Sequence, residues 1–284
     1  QSLNIDLNDL KKKISKKTKA ILIVHVLGNC VDMSKFMRII KKHKLILIED
    51  TCESLGTKYK NKFLGSFGDF SSFSFYSSHQ ISSGEGGMIC CKSNSDHEII
   101  KSLRAHGWSR GLKSEKKIAS ANKHLDSRFI FYNSGYNLRP TDITASIGLS
   151  QFKDLNKFIK QRSINRLKIL TKFKKNKKLS KVLTFINTTR DVKAHWFGIP
   201  ILLSNEINRN KFLKKIENKG VETRPIISGN FLKQPSIKKY KLNNQAKFKN
   251  SDLINNHGFF IGLPTNYITD KKIKKLVSIF EKSI

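Results

Sequence analysis

The sequence predicts an α/β protein with a large, mostly parallel central sheet and a smaller α/β unit at its C-terminal end. Three observations carry that reading. Two short apolar runs, Ala20 to Val26 and Leu45 to Ile48, flank a segment whose apolar residues Met33, Phe36, Ile39 and Ile40 recur at helical spacing. Strand–helix–strand order of this kind joins parallel strands through a crossover helix. An alternating run from Asp69 passes through small hydroxyl residues and a lone histidine, His79, into Gly84-Glu85-Gly86-Gly87 and a second apolar run, Met88 to Cys91. A polar tip between two buried strands presents reactive side chains above a sheet. After residue 140 a long helical pattern intervenes, and the alternation of strands and helices then starts afresh.

Each element has its own signal. Residues 4 to 17 read as a lysine-rich helix with Leu7, Leu10 and Ile14 on one side. Ala20 to Val26 is a strand, and Leu27-Gly28-Asn29 a loop. Asp32 caps a helix that runs to about His43. Leu45 to Ile48 is a continuous apolar strand ending in Glu49-Asp50, which sets Asp50 at the carboxyl end of a parallel strand, the edge that carries ligands in open α/β sheets. Ser95 to Gly107 reads as a helix, residues 112 to 127 as a mobile polar loop. Thr141 or Asp142 starts a helix to about Lys175, with Ile147, Leu149, Phe152, Leu155, Phe158 and Ile159 as its inner positions. Val182 to Ile186, Trp196 to Leu203 and Phe259 to Leu263 are strands. Val221 to Ile227 carries Pro225 and is an edge strand. Asn208 to Lys219 and Thr269 to Glu281 are helices. The expected division is residues 1–140, a connecting helix 141–178, and 179–284.

At 284 residues the chain is long enough for a large core. The formal charge of +34 raises the question of nucleic acid, but the lysines are spread along the whole chain and no helix-turn-helix, zinc-finger or RNP-type pattern accompanies them. Solvated lysine faces are the plainer reading, with attraction of an anionic substrate as a by-product. The apolar runs, such as Ala20 to Val24, are far too short to cross a bilayer. Cys30, Cys52, Cys90 and Cys91 show no CxxC spacing, so no metal or disulfide is expected, and a reduced, cytoplasmic setting is. Gln1 is not a start methionine, and the chain reads as a fragment of a longer protein.

Six ordered motifs resemble the DegT/DnrJ/EryC1/StrS sugar aminotransferases. They are Val24 to Gly28, Glu49 to Gly56, Gly68-Asp69, Ser74 to His79, Ser83 to Gly87 and Gly135 to Pro140. The resemblance covers nearly the whole chain. It implies a fold-type-I enzyme dependent on pyridoxal 5′-phosphate, a nucleotide-linked keto-sugar and L-glutamate as substrates, and a homodimer. It also implies about a hundred further residues at the N-terminus, by the normal size of such domains. In the aminotransferases a lysine that binds the cofactor covalently stands at the position of His79. With histidine here the chain resembles a branch that dehydrates sugars such as GDP-4-keto-6-deoxy-D-mannose at C3 in O-antigen biosynthesis, a histidine that a second branch shares. That second branch adds an iron–sulfur cysteine cluster downstream; residues 100 to 135 contain no cysteine.

The resemblance also implies roles. Asp50 matches the carboxylate that pairs with the pyridine nitrogen, Glu53 a contact to the ring hydroxyl, and Ser74 a phosphate contact. Asn137 matches the residue that reaches the phosphate of the neighbouring subunit. The plainer alternatives are a capping Asp50, a surface Glu53, a strand Ser74 bonded to backbone and a turn Asn137. His79, with an ordinary pKa near 6.5, suits proton transfer at neutral pH; its alternative is the relic of a lost lysine. His25, Arg224, Ser228 and Asn230 are weaker substrate-pocket candidates. The implied reaction uses pyridoxamine 5′-phosphate held without a covalent bond. The alternatives are an aminotransferase that works without its lysine, or an inactive relative serving as a binding or sensor subunit.

Overall fold

A computed structural model describes residues 2–240 and 248–284. In chain order the first half comprises helix α1 (Leu7–Lys13), strand β1 (Ala20–Val24), helix α2 (Met33–Lys42), strands β2 (Ile46–Asp50), β3 (Lys58–Tyr59), β4 (Lys62–Phe63), β5 (Phe70–Ser74) and β6 (Gly87–Cys91), and helices α3 (Asn94–Arg104) and α4 (Glu115–Ala121). The second half comprises helices α5 (Asp142–Lys153), α6 (Leu155–Lys175) and α7 (Leu179–Val182), strands β7 (Leu183–Phe185), β8 (Val192–Lys193) and β9 (Gly198–Leu203), helix α8 (Arg209–Glu217), strand β10 (Thr223–Arg224), helix α9 (Lys249–His257), strand β11 (Gly258–Gly262) and helix α10 (Asp270–Glu281).

The first sheet has the order β1-β2-β5-β6. β1, β2 and β5 run parallel, and β6 returns antiparallel along β5 with Ser74 opposite Gly87. The crossover from β1 to β2 is α2, capped as the sequence requires by the Asp32 carboxylate, which accepts from the Lys35 N–H. Met33, Phe36, Ile39 and Ile40 are all buried. Met33, Phe36 and Ile40 join Ile21, Ile23 and Leu47 in one core beneath one face of the sheet. The other face is open: Leu22 is 59% exposed and Ile89 58%.

The second sheet, β10-β11-β9-β7, is antiparallel, with β10 on its edge, where Pro225 predicts it. Its core is aromatic: Phe173 of α6, Phe212 of α8 and Phe280 of α10 meet ring to ring over it. A third sheet, β4-β3-β8, joins the early and late parts of the chain, because β8 pairs with β3. Its hairpin turns on Lys60 and Asn61, both at positive φ, the geometry of a two-residue turn that matches strand twist.

Four expectations need correction. Residues 112–127 are not all loop: Glu115–Ala121 is helical, and Ile118 packs with Leu112 and Ile130. The long helix is two, broken at Asp154, which ends α5 and begins α6. The inner positions expected on its first part face outward, with Leu149 66% and Phe152 56% exposed, whereas Leu155 after the break is buried. β6 is an edge strand rather than a buried one, and Met88 is 54% exposed.

Candidate active site

Asp50 ends β2, and its neighbour in register on β5 is Ser72. Side chains alternate along a strand, so Asp50, Ser72 and Ser74 share the open face of the sheet. Ser74 stands two residues further along, about 7 Å at the usual strand rise. One oxygen of Asp50 accepts from the Cys52 N–H at 3.1 Å, and no cation pairs with it among the described residues. Ser74 Oγ accepts from the Tyr76 N–H at 3.2 Å.

The tip after β5 is tied at several points. Phe75 and Gly86 close it as a backbone hydrogen bond, as do Ser83 and Phe75. The Ser82 N–H donates to Gln151 of α5 at 2.9 Å, and Gln80 donates to the Glu53 carbonyl. The glycines are needed here: a Cβ on Gly87 would lie 2.8 Å from the Phe73 carbonyl. On this tip the His79 ring meets Tyr76 at 5.7 Å and Phe197 at 5.7 Å, both edge to face. Its Nδ1 is buried without a partner. Burial lowers the His79 pKa against the pull of the Ser74 backbone and the Asp50 carboxylate, so the imidazole is neutral and basic at pH 7.

Glu53 is not a surface residue. One carboxylate oxygen accepts from the Leu27 N–H at 2.8 Å. Burial raises its pKa, and the nearby Asp50 adds to the rise. Asn137 is exposed between Tyr136 and Leu138, which are 65% and 66% exposed.

Of the four substrate-pocket candidates, His25 is turned away from Asp50, and the other three are held by partners or turns of their own. His25 is fully buried and bonded at 3.0 Å to Glu49, on the face of the sheet opposite Asp50, so it cannot contact a substrate from there. Asn230 spends its amide on Asp252 at 3.0 Å and on capping Leu232 at 3.1 Å. Arg224 pairs with Glu222 at 2.9 Å. Ser228 lies in the turn between Ile227, at positive φ, and Gly229. Sequence reasoning passed over Glu49, Gln80, Gln151 and Phe197. Glu49 was marked by standing beside Asp50 at a strand end; the others carry no signal in the chain.

Comparison with known proteins places this geometry in context. The profile of the DegT/DnrJ/EryC1/StrS aminotransferase family matches residues 1–281. GDP-4-keto-6-deoxy-D-mannose 3-dehydratase of Yersinia pseudotuberculosis is 35% identical, over 99% of this chain and 71% of its own length. The structure of E. coli GDP-4-keto-6-deoxy-D-mannose-3-dehydratase with bound hydrated PLP superposes with a TM-score of 0.87 at 33% identity, covering 98% of this chain and 71% of that one. A GDP-4-keto-6-deoxymannose-3-dehydratase with a trapped PLP-glutamate geminal diamine gives the same TM-score and identity, over 98% and 72%. With a profile match from end to end and relatives above 30% identity, the chain belongs to the DegT/DnrJ/EryC1/StrS aminotransferase family.

Proposed function

We propose that this chain acts as a pyridoxal-phosphate-dependent dehydratase, which removes the C3 hydroxyl of a nucleotide-linked 4-keto-6-deoxy sugar for O-antigen assembly. One observation carries the reading: a neutral, partly buried imidazole, His79, occupies the tip that faces Asp50 and Ser74. The residues present fit the cofactor. Asp50 offers a carboxylate with no cation, Ser74 a hydroxyl whose proton is uncommitted among the described residues, and His79 Nδ1 an orphaned buried nitrogen. The likeness to dehydratases whose structures hold PLP and a PLP–glutamate adduct supports the same cofactor and L-glutamate as co-substrate.

Asp50 would pair with the pyridinium, Ser74 with the phosphate, and Glu53, held on Leu27, with the ring hydroxyl. When bound as pyridoxamine phosphate, the cofactor supplies an amine for the C4 ketone and a ring that accepts electrons. Histidine cannot bind the cofactor covalently as a lysine does, so the site must hold it through these contacts alone. With the cofactor bound, the His79 imidazole would hold and move a proton beside the sugar, first as general base and then as general acid toward the C3 hydroxyl.

We also propose a homodimer in the cytoplasm, with the cofactor-binding part in residues 1–140, a connecting stretch 141–178 and a smaller part 179–284. The exposed apolar side chains Phe129, Phe131, Tyr136, Leu138, Leu149 and Phe152 support a second copy, with Asn137 among them reaching across. No described helix is long and apolar enough to cross a membrane.

Incubation with pyridoxal phosphate, L-glutamate and GDP-4-keto-6-deoxymannose, followed by mass spectrometry of the sugar, tests the reading. Loss of the C3 oxygen is expected; a mass corresponding to an amino sugar would return the chain to the aminotransferases. His79→Asn should abolish dehydration, by at least about 100-fold for a lost general base, and leave cofactor binding within about twofold by absorbance titration.

A further inference from the structure

We propose that Phe197 is a positioning residue: it clamps the His79 ring against Tyr76, fixes which ring nitrogen faces the reaction, and keeps water from the imidazole. The inference rests on the role proposed for His79, and the contacts themselves are independent of it.

Four rings stand in series. Tyr76 meets His79 at 5.7 Å and 71°, His79 meets Phe197 at 5.7 Å and 80°, and Phe197 meets Phe260 at 5.6 Å and 48°. The first two rings belong to the tip, Phe197 lies just before β9, and Phe260 lies in the C-terminal sheet. Phe260 sits in β11, an inner strand of that sheet, so the backstop is rigid. A Cβ added at Gly198 would lie 2.6 Å from the Phe260 ring, so β9 and β11 approach closely beside Phe197.

The Phe197 backbone is pinned from both directions. Its N–H donates to the Leu27 carbonyl at 3.2 Å, and its carbonyl accepts from Leu263 at 3.3 Å. Leu27 is also the residue whose N–H holds Glu53. Two residues earlier, His195 Nδ1 bonds the Leu55 carbonyl at 2.7 Å, in the loop that follows Asp50. The segment 195–197 thus meets the His79 ring directly and shares with Glu53 its anchor on Leu27.

Phe197 is 8% exposed, and a ring in that place removes solvent from one side of the imidazole. The charged or titratable groups that bear on His79 are Asp50 from the sheet and Tyr76 from the tip itself. Trp196 and Gly198, which flank Phe197, bring no charge. Water exclusion and the Asp50 carboxylate therefore act in opposite directions on the same ring, and Phe197 supplies part of the first.

The test is histidine titration by NMR on the cofactor-free full chain, with the His79 signal assigned from its absence in His79→Asn. In Phe197→Leu the His79 titration should move up by about half a unit or more, toward the ordinary histidine value. Phe197→Tyr, which keeps the ring, should titrate like the parent. Phe197→Met, closer to the ring in volume, replaces the leucine variant if that one does not fold. An unchanged His79 titration in a folded leucine or methionine variant overturns the clamp. A shifted titration in a protein that never dehydrates its substrate leaves the clamp standing and removes the proposed reaction.

Discussion

Glu49 and Asp50 are neighbours in sequence with opposite surroundings, because successive strand side chains point to opposite faces. Asp50 faces the open side of the sheet. Glu49 faces the core, where its two oxygens accept from His25 at 3.0 Å, Gly65 at 2.9 Å, Phe67 at 2.8 Å and Gly68 at 2.7 Å. Burial pushes its carboxyl up, but the bonds from His25, Gly68 and Gly65 outweigh that and hold it below the usual range. A folded-state pKa below the unfolded one means that Glu49 stabilises the fold fully above about pH 4.5, and that this contribution is lost as pH falls through the lower folded value. Glu49→Gln places an NH₂ group against N–H donors. It should cost about 3 kcal/mol at pH 7 in a urea titration, and the difference from the parent should shrink at pH 3. An equal cost at both pH values would show that shape rather than charge holds this loop. The sequence marked Asp50 by its place at a strand end; which of two adjacent carboxylates turned inward depended on register, which no single chain segment states.

Helices with an amphipathic stripe and a capping residue were legible almost to the residue, as Asp32 with α2 and Thr269 with α10 demonstrate. α5 was legible as a helix and misleading in direction, since an apolar stripe says that a face is covered and not by what. α4 and the β3–β4 hairpin are too short for periodicity to register. Gly28 sits in a motif that sequence comparison marks and that only packing explains. Its φ is +91°, and a Cβ there would lie 2.2 Å from the His195 carbonyl. Gly28→Ala should therefore destabilise by more than about 2 kcal/mol, adding left-handed strain to a backbone clash. Chemical denaturation reads this directly, and a loss near zero would mean that the 195–197 segment is free to move away.

For the whole molecule, the apolar side chains left outside are as informative as those inside. Ile143 is 74% exposed, Leu149 66% and Phe131 60%, and exposed apolar residues gathered along one helix and its preceding loop mark a contact surface on a soluble protein. Leu149→Asp combined with Phe152→Asp should weaken self-association at least about tenfold, about 1.4 kcal/mol, in sedimentation velocity at micromolar protein. A variant that sediments like the parent would remove this face from the proposed dimer. The sign and spread of the lysines were plain in the sequence.

The small sheet that pairs Lys58 with Lys193 has a consequence in time as well as in space. A contact between residues so distant along the chain closes late, since loop entropy must be met before the pairing rewards it. Phe197 and His195 follow just after that pairing. During synthesis the tip bearing His79 is therefore exposed from the ribosome well before its aromatic backstop exists. The growing chain holds an open, hydrated imidazole first, and becomes a dry one only when the C-terminal sheet has folded over it.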